Sequence, residues 1–203
     1  MPSTIYLIRH AESAHNVTKD FTLRDPGLTP LGHTQAAALA TTFPALDTVA
    51  VILASPLTRT IETALAAFGG LLADPEDVRV ILDPNLQERS DLPCDTGSAP
   101  ADLSARFPAL DFGDLGDEWY RKEGVYTADD AAVAARAAAV RGILCELAGA
   151  LGDAEGRRDV AVVTHGVFMK FLAGDQGIDL PKAGWKAFTV RQGDGGAVLV
   201  PVE

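Results

Sequence analysis

Two six-residue apolar runs constrain this chain more than any other feature in it: Val49–Ala54 (VAVILA) and Asp159–Thr164 (DVAVVT). Neither alternates apolar with polar positions, so neither keeps a face for solvent, and each reads as a strand buried on both sides. Such strands belong to parallel sheets, where each crossover lays a helix across the sheet. Ile5 to Ile8 is a shorter run of the same kind that ends in Arg9-His10, and Val78 to Leu82 is a third strand along the chain. Helix signals fall between them. Thr29 is an N-cap with Pro30 at the first helical position and an Ala-rich stretch to Phe43; Leu57 to Leu72 follows, ended by Gly69-Gly70 or soon after. Thr127-Ala128-Asp129-Asp130 has capping-box form, and Val133, Ala137, Val140, Leu144, Leu147 and Leu151 recur at helical spacing, so a long helix runs to about Gly149. Val167 to Ala173 is a last helix, and Ala187 to Gln192 and Ala197 to Val202 are the final strands. The expected fold is α/β: a three-layer α/β/α sandwich with a mostly parallel central sheet.

A length of 203 residues fits one domain, 1–203, with an elaboration. With 47% hydrophobic and 22% charged residues the chain can bury a core. From Asp83 to Tyr126 the composition turns to Pro, Gly, Asp and Ser with scattered aromatics, an insertion after the third strand and not core. Lys plus Arg number 17 against 28 Asp plus Glu, and the net charge of −11 argues against nucleic-acid binding, which needs a basic face. Cys94 and Cys145 have no second pair beside them, so they suggest neither a zinc site nor a disulfide framework, but thiols in a reducing, cytoplasmic setting. No apolar run approaches the ~20 residues that span a bilayer, and no basic start with an apolar core precedes Ile5. No membrane association is expected.

In open parallel sheets, ligands bind beyond the carboxyl ends of the strands. The ends here read Arg9-His10-Ala11-Glu12-Ser13, Ser55-Pro56-Leu57-Thr58-Arg59, Asn85-Leu86-Gln87-Glu88 and Thr164-His165-Gly166. Of four histidines, His10 and His165 directly follow core strands. Guanidinium forks suit phosphate, helix N-termini after Ser55 and Gly166 add backbone donors, and a neutral imidazole can attack phosphorus. The set suits phosphoryl transfer through a phosphohistidine. Two histidines can also bind a metal, but neighbouring arginines repel a cation and no acidic cluster sits at ligand spacing, so no metal site is expected. Singly, each residue has a bland reading: an Arg-His pair closes its own turn, Arg59 is a surface charge, and Glu88 is a loop carboxylate. Their joint placement carries the functional one.

These segments resemble the histidine phosphatase superfamily, also called phosphoglycerate-mutase-like. Leu7-Ile8-Arg9-His10-Ala11-Glu12-Ser13 with Asn16 is similar to its N-terminal Arg-His-Gly signature, with Ala11 in the glycine's place. Leu28-Thr29-Pro30-Leu31-Gly32-His33-Thr34-Gln35-Ala36 is similar to its Leu-Thr-x-x-Gly-x-x-Gln-Ala segment, and Ser55 to Ala64 to its Ser-x-x-x-Arg-x-x-x-Thr-Ala motif. Leu86-Gln87-Glu88 resembles the Leu-x-Glu that carries the acid, and Thr164-His165-Gly166 the second histidine; residues 92–126 fall outside the signatures. The resemblance implies His10 as nucleophile and Glu88 as general acid, then base. It implies that Arg9, Arg59, Asn16, His165 and the Gly166 amide hold the phosphoryl oxygens, with Thr22 among the substrate-binding residues. It also implies a hydrogen bond from the second ring nitrogen of His10 to a backbone carbonyl, a raised pKa for Glu88, and no metal or organic cofactor.

The resemblance leaves three activities open. In the family's cofactor-dependent mutases an Arg-His-Tyr-Gly stretch follows the glutamate; here Glu88 precedes Arg89-Ser90-Asp91-Leu92, which favours a histidine acid-type phosphatase over a phosphoglycerate mutase. The stretch Leu86 to Gly97 resembles small fungal members. An inactive phospho-ligand module is the third reading, opposed by the intact motif residues. The 92–126 segment is expected to be a substrate-selecting lid, in which Phe107, Phe112, Trp119, Tyr120, Tyr126 and Arg121-Lys122 either line a pocket or pack the insertion onto the sheet. Its acids (Asp95, Asp102, Asp111, Asp114, Asp117, Glu118) disfavour highly anionic substrates, so the expected partner is a small phosphorylated metabolite with one phosphate. Cys94 is structural, because no Cys-x5-Arg loop follows it and position 100 is Pro100. Oligomeric state leaves no signature in the sequence.

Overall fold

The structure, a computed structural model, describes residues 2–73, 78–152 and 156–202. Six strands form one sheet in the order β3-β2-β4-β1-β5-β6. They are β1 (Ile5–Arg9), β2 (Val49–Ala54), β3 (Arg79–Leu82), β4 (Asp159–Thr164), β5 (Trp185–Gly193) and β6 (Gly196–Pro201). The first four run parallel, and β5 pairs antiparallel with β1 and closes a hairpin with β6.

The helices are α1 (Ala14–Thr18), α2 (Pro30–Thr42), α3 (Thr58–Phe68), α4 (Pro100–Arg106), α5 (Asp130–Leu151) and α6 (Gly166–Ala173). Successive side chains of a strand point to opposite faces, and the core divides accordingly. Val51, Leu53, Val160 and Val162 pack with Val133, Ala137, Val140 and Leu144 of α5 and Phe168, Met169 and Leu172 of α6. Ile52, Ala54, Ala161 and Val163 pack on the other side with Leu39 of α2 and Ala64, Ala67 and Phe68 of α3. The three layers and the mostly parallel sheet are those expected, and so is the Thr29 cap, whose Oγ1 accepts from the Gly32 amide. The capping-box reading at Thr127 is displaced by two residues: Asp129 is the N-cap of α5 and accepts from the Ala132 amide, while the Thr127 hydroxyl bonds the Asp129 carboxylate. A carboxylate is the stronger acceptor for the orphan amides, so the cap falls there.

Residues 92–126 contain α4 and build a small core of their own. Leu103, Phe112, Leu115 and Trp119 pack with Ile61 of α3 and with Leu57 just before it. Of the two uses expected for the insertion's aromatics, Phe112 and Trp119 serve packing. Gly97 makes this possible, since a Cβ there would lie 2.2 Å from the Trp119 ring.

The site is positioned by β4, which sits between β2 and β1. The hydrogen-bond ladder continues one residue past the strand ends: the His10 amide donates to the Thr164 carbonyl (2.9 Å) and the Ser55 amide to the Val163 carbonyl (3.1 Å). His10, His165 and Ser55 are thereby set side by side at the carboxyl edge.

Candidate active site

His10 is 3% exposed, and its Nδ1 lies 2.7 Å from the Ala11 carbonyl. A carbonyl only accepts, so Nδ1 carries the proton and Nε2 keeps its lone pair. This is the tautomer-fixing bond expected for His10. Burial, then the Arg59 and Lys182 charges, hold this imidazole well below its ordinary pKa, so it stays neutral. His165 is wholly buried with its ring centroid 5.3 Å from that of His10. Arg59 Nη2 donates to its Nδ1 (3.1 Å), which leaves Nε2–H to donate to Ser55 Oγ (2.9 Å). Burial, then Arg59, depress this pKa too.

A cavity of about 140 Å³ opens over these groups, lined by Arg9, His10, Asn16, Arg59, Glu88 and Gly166 among others. That is below the ~300 Å³ of pockets for drug-sized ligands, a fit for a phosphoryl group and little more. The Nε atoms of Arg9 and Arg59 are buried donors without a protein partner among the described residues. Gly166 opens α6 against Arg9, and a Cβ there would approach the guanidinium to 3.0 Å. Arg59 is 1% exposed, and its terminal nitrogens are already engaged, Nη1 by the Cys94 carbonyl (2.6 Å) and Nη2 by Asp95 Oδ1 (2.8 Å). Asp95 Oδ2 accepts from the Ser90 hydroxyl (2.6 Å).

Glu88 lies at the cavity's rim with both oxygens occupied. Oε1 accepts from the Phe168 and Arg89 amides (both 2.8 Å) and Oε2 from the Val167 amide (3.1 Å), so the carboxylate caps α6. Its main chain is held by Lys122, whose Nζ donates to the Glu88 carbonyl (3.0 Å). Arg136 of α5 secures the preceding residues through the Asn85 and Gln87 carbonyls (2.6 and 2.9 Å). Burial pulls the Lys122 pKa down to about 8. Glu88 and Asp95 also line a second, adjoining cavity of about 390 Å³ with Arg89, Ser90, Asp91, Ala128 and Val167.

Thr22 is not brought to the cavity. It is exposed, and both its amide and its hydroxyl donate to Asp20 Oδ1 (3.0 and 2.6 Å) in a surface turn, whereas the neighbouring Phe21 is a lining residue. The lining residues not anticipated as site residues include three with polar or charged side chains, His15, Asp95 and Lys182. His15 closes a ring of hydrogen bonds. Asn16 Nδ2 donates to its Nε2 (3.0 Å), its Nδ1–H to Ser13 Oγ (3.0 Å), and the Ser13 hydroxyl to Asn16 Oδ1 (3.1 Å). The clue to His15 was its place one residue before Asn16; nothing local marks Asp95 or Lys182. Burial, with Asp95 second, raises the Cys94 thiol to about 11, which agrees with its structural reading. Among the described residues no group of three or more His, Cys, Asp or Glu could hold a metal ion.

Comparison with known proteins agrees with this architecture. A Schizosaccharomyces pombe protein named "Probable phosphatase" is 31% identical over 174 residues, covering 83% of this chain and 76% of the relative. The mycobacterial glucosyl-3-phosphoglycerate phosphatase, solved with VO3, superposes with a TM-score of 0.64 at 20% identity, over 99% of this chain and 98% of that one. Phosphoserine phosphatase from Entamoeba histolytica, solved with phosphoserine, gives 0.56 at 20% identity over 97% and 94%. The model for the histidine phosphatase superfamily (branch 1) matches residues 5–195, and the chain belongs to that family.

Proposed function

We propose that this chain is a metal-independent phosphomonoester hydrolase that works through a phosphohistidine on His10. The observation that carries the reading is the bond from His10 Nδ1–H to the Ala11 carbonyl, which leaves the Nε2 lone pair in an arginine-lined cavity sized for a phosphoryl group. In the first step Nε2 bonds to phosphorus while the ester P–O bond breaks, and Glu88 gives its proton to the leaving oxygen. In the second a water oxygen bonds to phosphorus while the N–P bond breaks and returns its electron pair to Nε2, Glu88 takes the water's proton, and phosphate leaves with His10 restored. Arg9, Arg59, Asn16 and the Gly166 amide hold the equatorial oxygens, where charge accumulates, and His165 joins them only by giving up its bond to Ser55. Glu88 borders both cavities, which suits an acid between the phosphoryl group and the leaving group; to act it must release one of the amides it caps.

The substrate in this reading is a small phosphorylated metabolite with one phosphate, as the names of the phosphatase relatives suggest for those proteins. The leaving group occupies the 390 Å³ cavity, to which the insertion contributes Asp95, and in this reading residues 92–126 act as the lid that selects it. The two free cysteines, one of them buried, favour the cytoplasm, and among the described residues no helix is long and apolar enough to cross a membrane.

The test is phosphate release from a monophosphate panel that includes 3-phosphoglycerate, by wild type and His10→Ala, with isomer exchange followed in parallel. Release by wild type and its loss in His10→Ala is expected. Isomer exchange of 3-phosphoglycerate without release would replace the hydrolase with a mutase.

A further inference from the structure

The loop between α6 and β5 carries a cation into the cavity. Its residues 179–184 are fastened to Arg9 and His10 at four points. Arg9 Nη1 donates to Asp179 Oδ1 (2.9 Å) and to the Leu180 carbonyl (2.6 Å), the Arg9 amide donates to the Gly184 carbonyl (2.9 Å), and the Ala183 amide to the His10 carbonyl (3.5 Å). Between these ties Ala183 has φ of 58°, a left-handed conformation that an alanine keeps only when its surroundings impose it. Gly184 turns back so closely that a Cβ would come within 2.7 Å of the Pro181 ring. The residue this strained turn delivers to the cavity is Lys182, beside Arg9, His10 and Arg59. Among the described residues no carboxylate lies within 4.0 Å of its ammonium. A half-buried ammonium facing two guanidiniums is unfavourable unless an anion joins them.

We propose that Lys182 is a further catalytic residue, a third cation that contacts the oxygens of the transferring phosphoryl group. The inference rests on the phosphohistidine reading and adds to it a group that no signature contains. Charge spreads over the equatorial oxygens in an in-line displacement, and an ammonium with three donors on a flexible stem can follow them where the fixed arginine forks cannot. Burial, then the Arg9 and Arg59 charges, lower its pKa to about 7, with Glu88 opposing and Lys19 adding to the fall. His10, His15, Asp95 and Asn16 complete the groups around the same cavity. Bound phosphate restores the charge on the lysine; in the free protein that charge fades above about pH 7.

The test uses Lys182→Met and Lys182→Arg in the full chain, with p-nitrophenyl phosphate, an alkyl monophosphate (O-phosphoserine) and vanadate binding by calorimetry. For Lys182→Met, kcat/KM falls roughly 10- to 100-fold on both esters and vanadate binding weakens by a similar factor, the loss of one charge-assisted hydrogen bond. Lys182→Arg recovers most of the activity and abolishes the fall in kcat/KM that wild type shows above about pH 7, because guanidinium keeps its charge. A loss confined to the alkyl ester would assign the lysine to the leaving group and overturn the proposal. So would vanadate affinity and kcat/KM within about twofold of wild type in Lys182→Met, a margin far below one such bond. The two readings fail separately: an active His10→Ala sinks the phosphohistidine, whereas an inactive His10→Ala with a neutral Lys182→Met sinks only the lysine.

Discussion

The floor of the cavity and its wall are built by different means. The floor is Arg9-His10 and His165-Gly166, set by strand ends whose backbone ladder runs on from the core, with Arg59 on the first turn of α3. His10, Arg59 and His165 are each no more than 3% exposed. The wall is residues 88–96 with the insertion, fastened by side-chain hydrogen bonds, one buried ion pair and a satellite core around Trp119. Shifting the floor means shifting the sheet, while the wall can be repacked locally. The floor is therefore suited to the part of a reaction common to all substrates, and the wall to what distinguishes them. The Asp95–Arg59 pair ties one to the other.

The sharpest break of this contrast is Arg59→Met. It removes one of two guanidiniums from the floor, and kcat/KM is expected to fall about 10²- to 10³-fold for every phosphomonoester alike. It also strips Asp95 of its cation, so the thermal midpoint drops as well. Steady-state rates on three unrelated monophosphates check it; a loss that varied widely among them would erase the distinction between floor and wall. Gly166→Ala probes the same floor more gently. Its Cβ meets the Arg9 guanidinium at 3.0 Å, and displacing that fork by a few tenths of an ångström is expected to cost about tenfold in kcat/KM, again across substrates.

The same division decides what was legible in the sequence. The runs Val49–Ala54 and Asp159–Thr164 have only one environment that suits them, and a polar residue directly after such a strand must lie at the sheet's edge. His10, Ser55 and His165 were therefore readable as residues of one sheet edge without coordinates, while the strand order that makes them neighbours was not. Five-residue α1 is too short to show a helical period, and α4 starts from Ala99, which has no capping side chain. Thr127 satisfied the local pattern for a cap, but Asp129 does the capping. The wall and the Lys182 loop were beyond reach for a different reason: their bonds join residues far apart in the chain. Asp95 meets Arg59 across 36 positions, and Arg9 holds the Lys182 loop across 170. Thr22 sits in the right stretch but spends its hydrogen bonds on Asp20.

On the wall, Gly97→Ala should do what no floor variant does. The added Cβ would lie 2.2 Å from a Trp119 ring that is 2% exposed, so the ring must leave its place in the satellite core. Overpacking of this kind costs about 1–3 kcal/mol of stability. Relative kcat/KM among monophosphates is expected to shift a few-fold while vanadate affinity, a property of the floor, stays within about twofold. Denaturant unfolding and the two assays together check it. An equal loss of vanadate binding would mean that the insertion shapes the floor after all.

The last expected effect concerns charge and leaves activity near neutral pH untouched. The floor keeps its imidazoles neutral, and His15 at its margin has a pKa lowered to about 4 by burial first and Arg59 second. Protonation would take from Nε2 the lone pair that accepts from Asn16 and so open the ring through Ser13. Unfolded, the same side chain titrates near ~6.5. As pH falls, the unfolded chain binds the proton first, so the stability this histidine contributes is complete above about pH 6.5 and is lost progressively toward about pH 4. His10 and His165, also depressed by burial, act in the same direction. Lys182 does not enter this window, because its folded and unfolded forms are both charged below about pH 7. Nor do Asp20 and Asp129, whose hydrogen bonds lower pKa values that already start below it. The thermal midpoint should therefore fall from pH 6.5 to 4, and His15→Gln should flatten that fall by up to about one proton's worth, at most ~1.4 kcal/mol per pH unit. An unchanged slope in His15→Gln would move the whole acid sensitivity onto the two histidines at the strand ends.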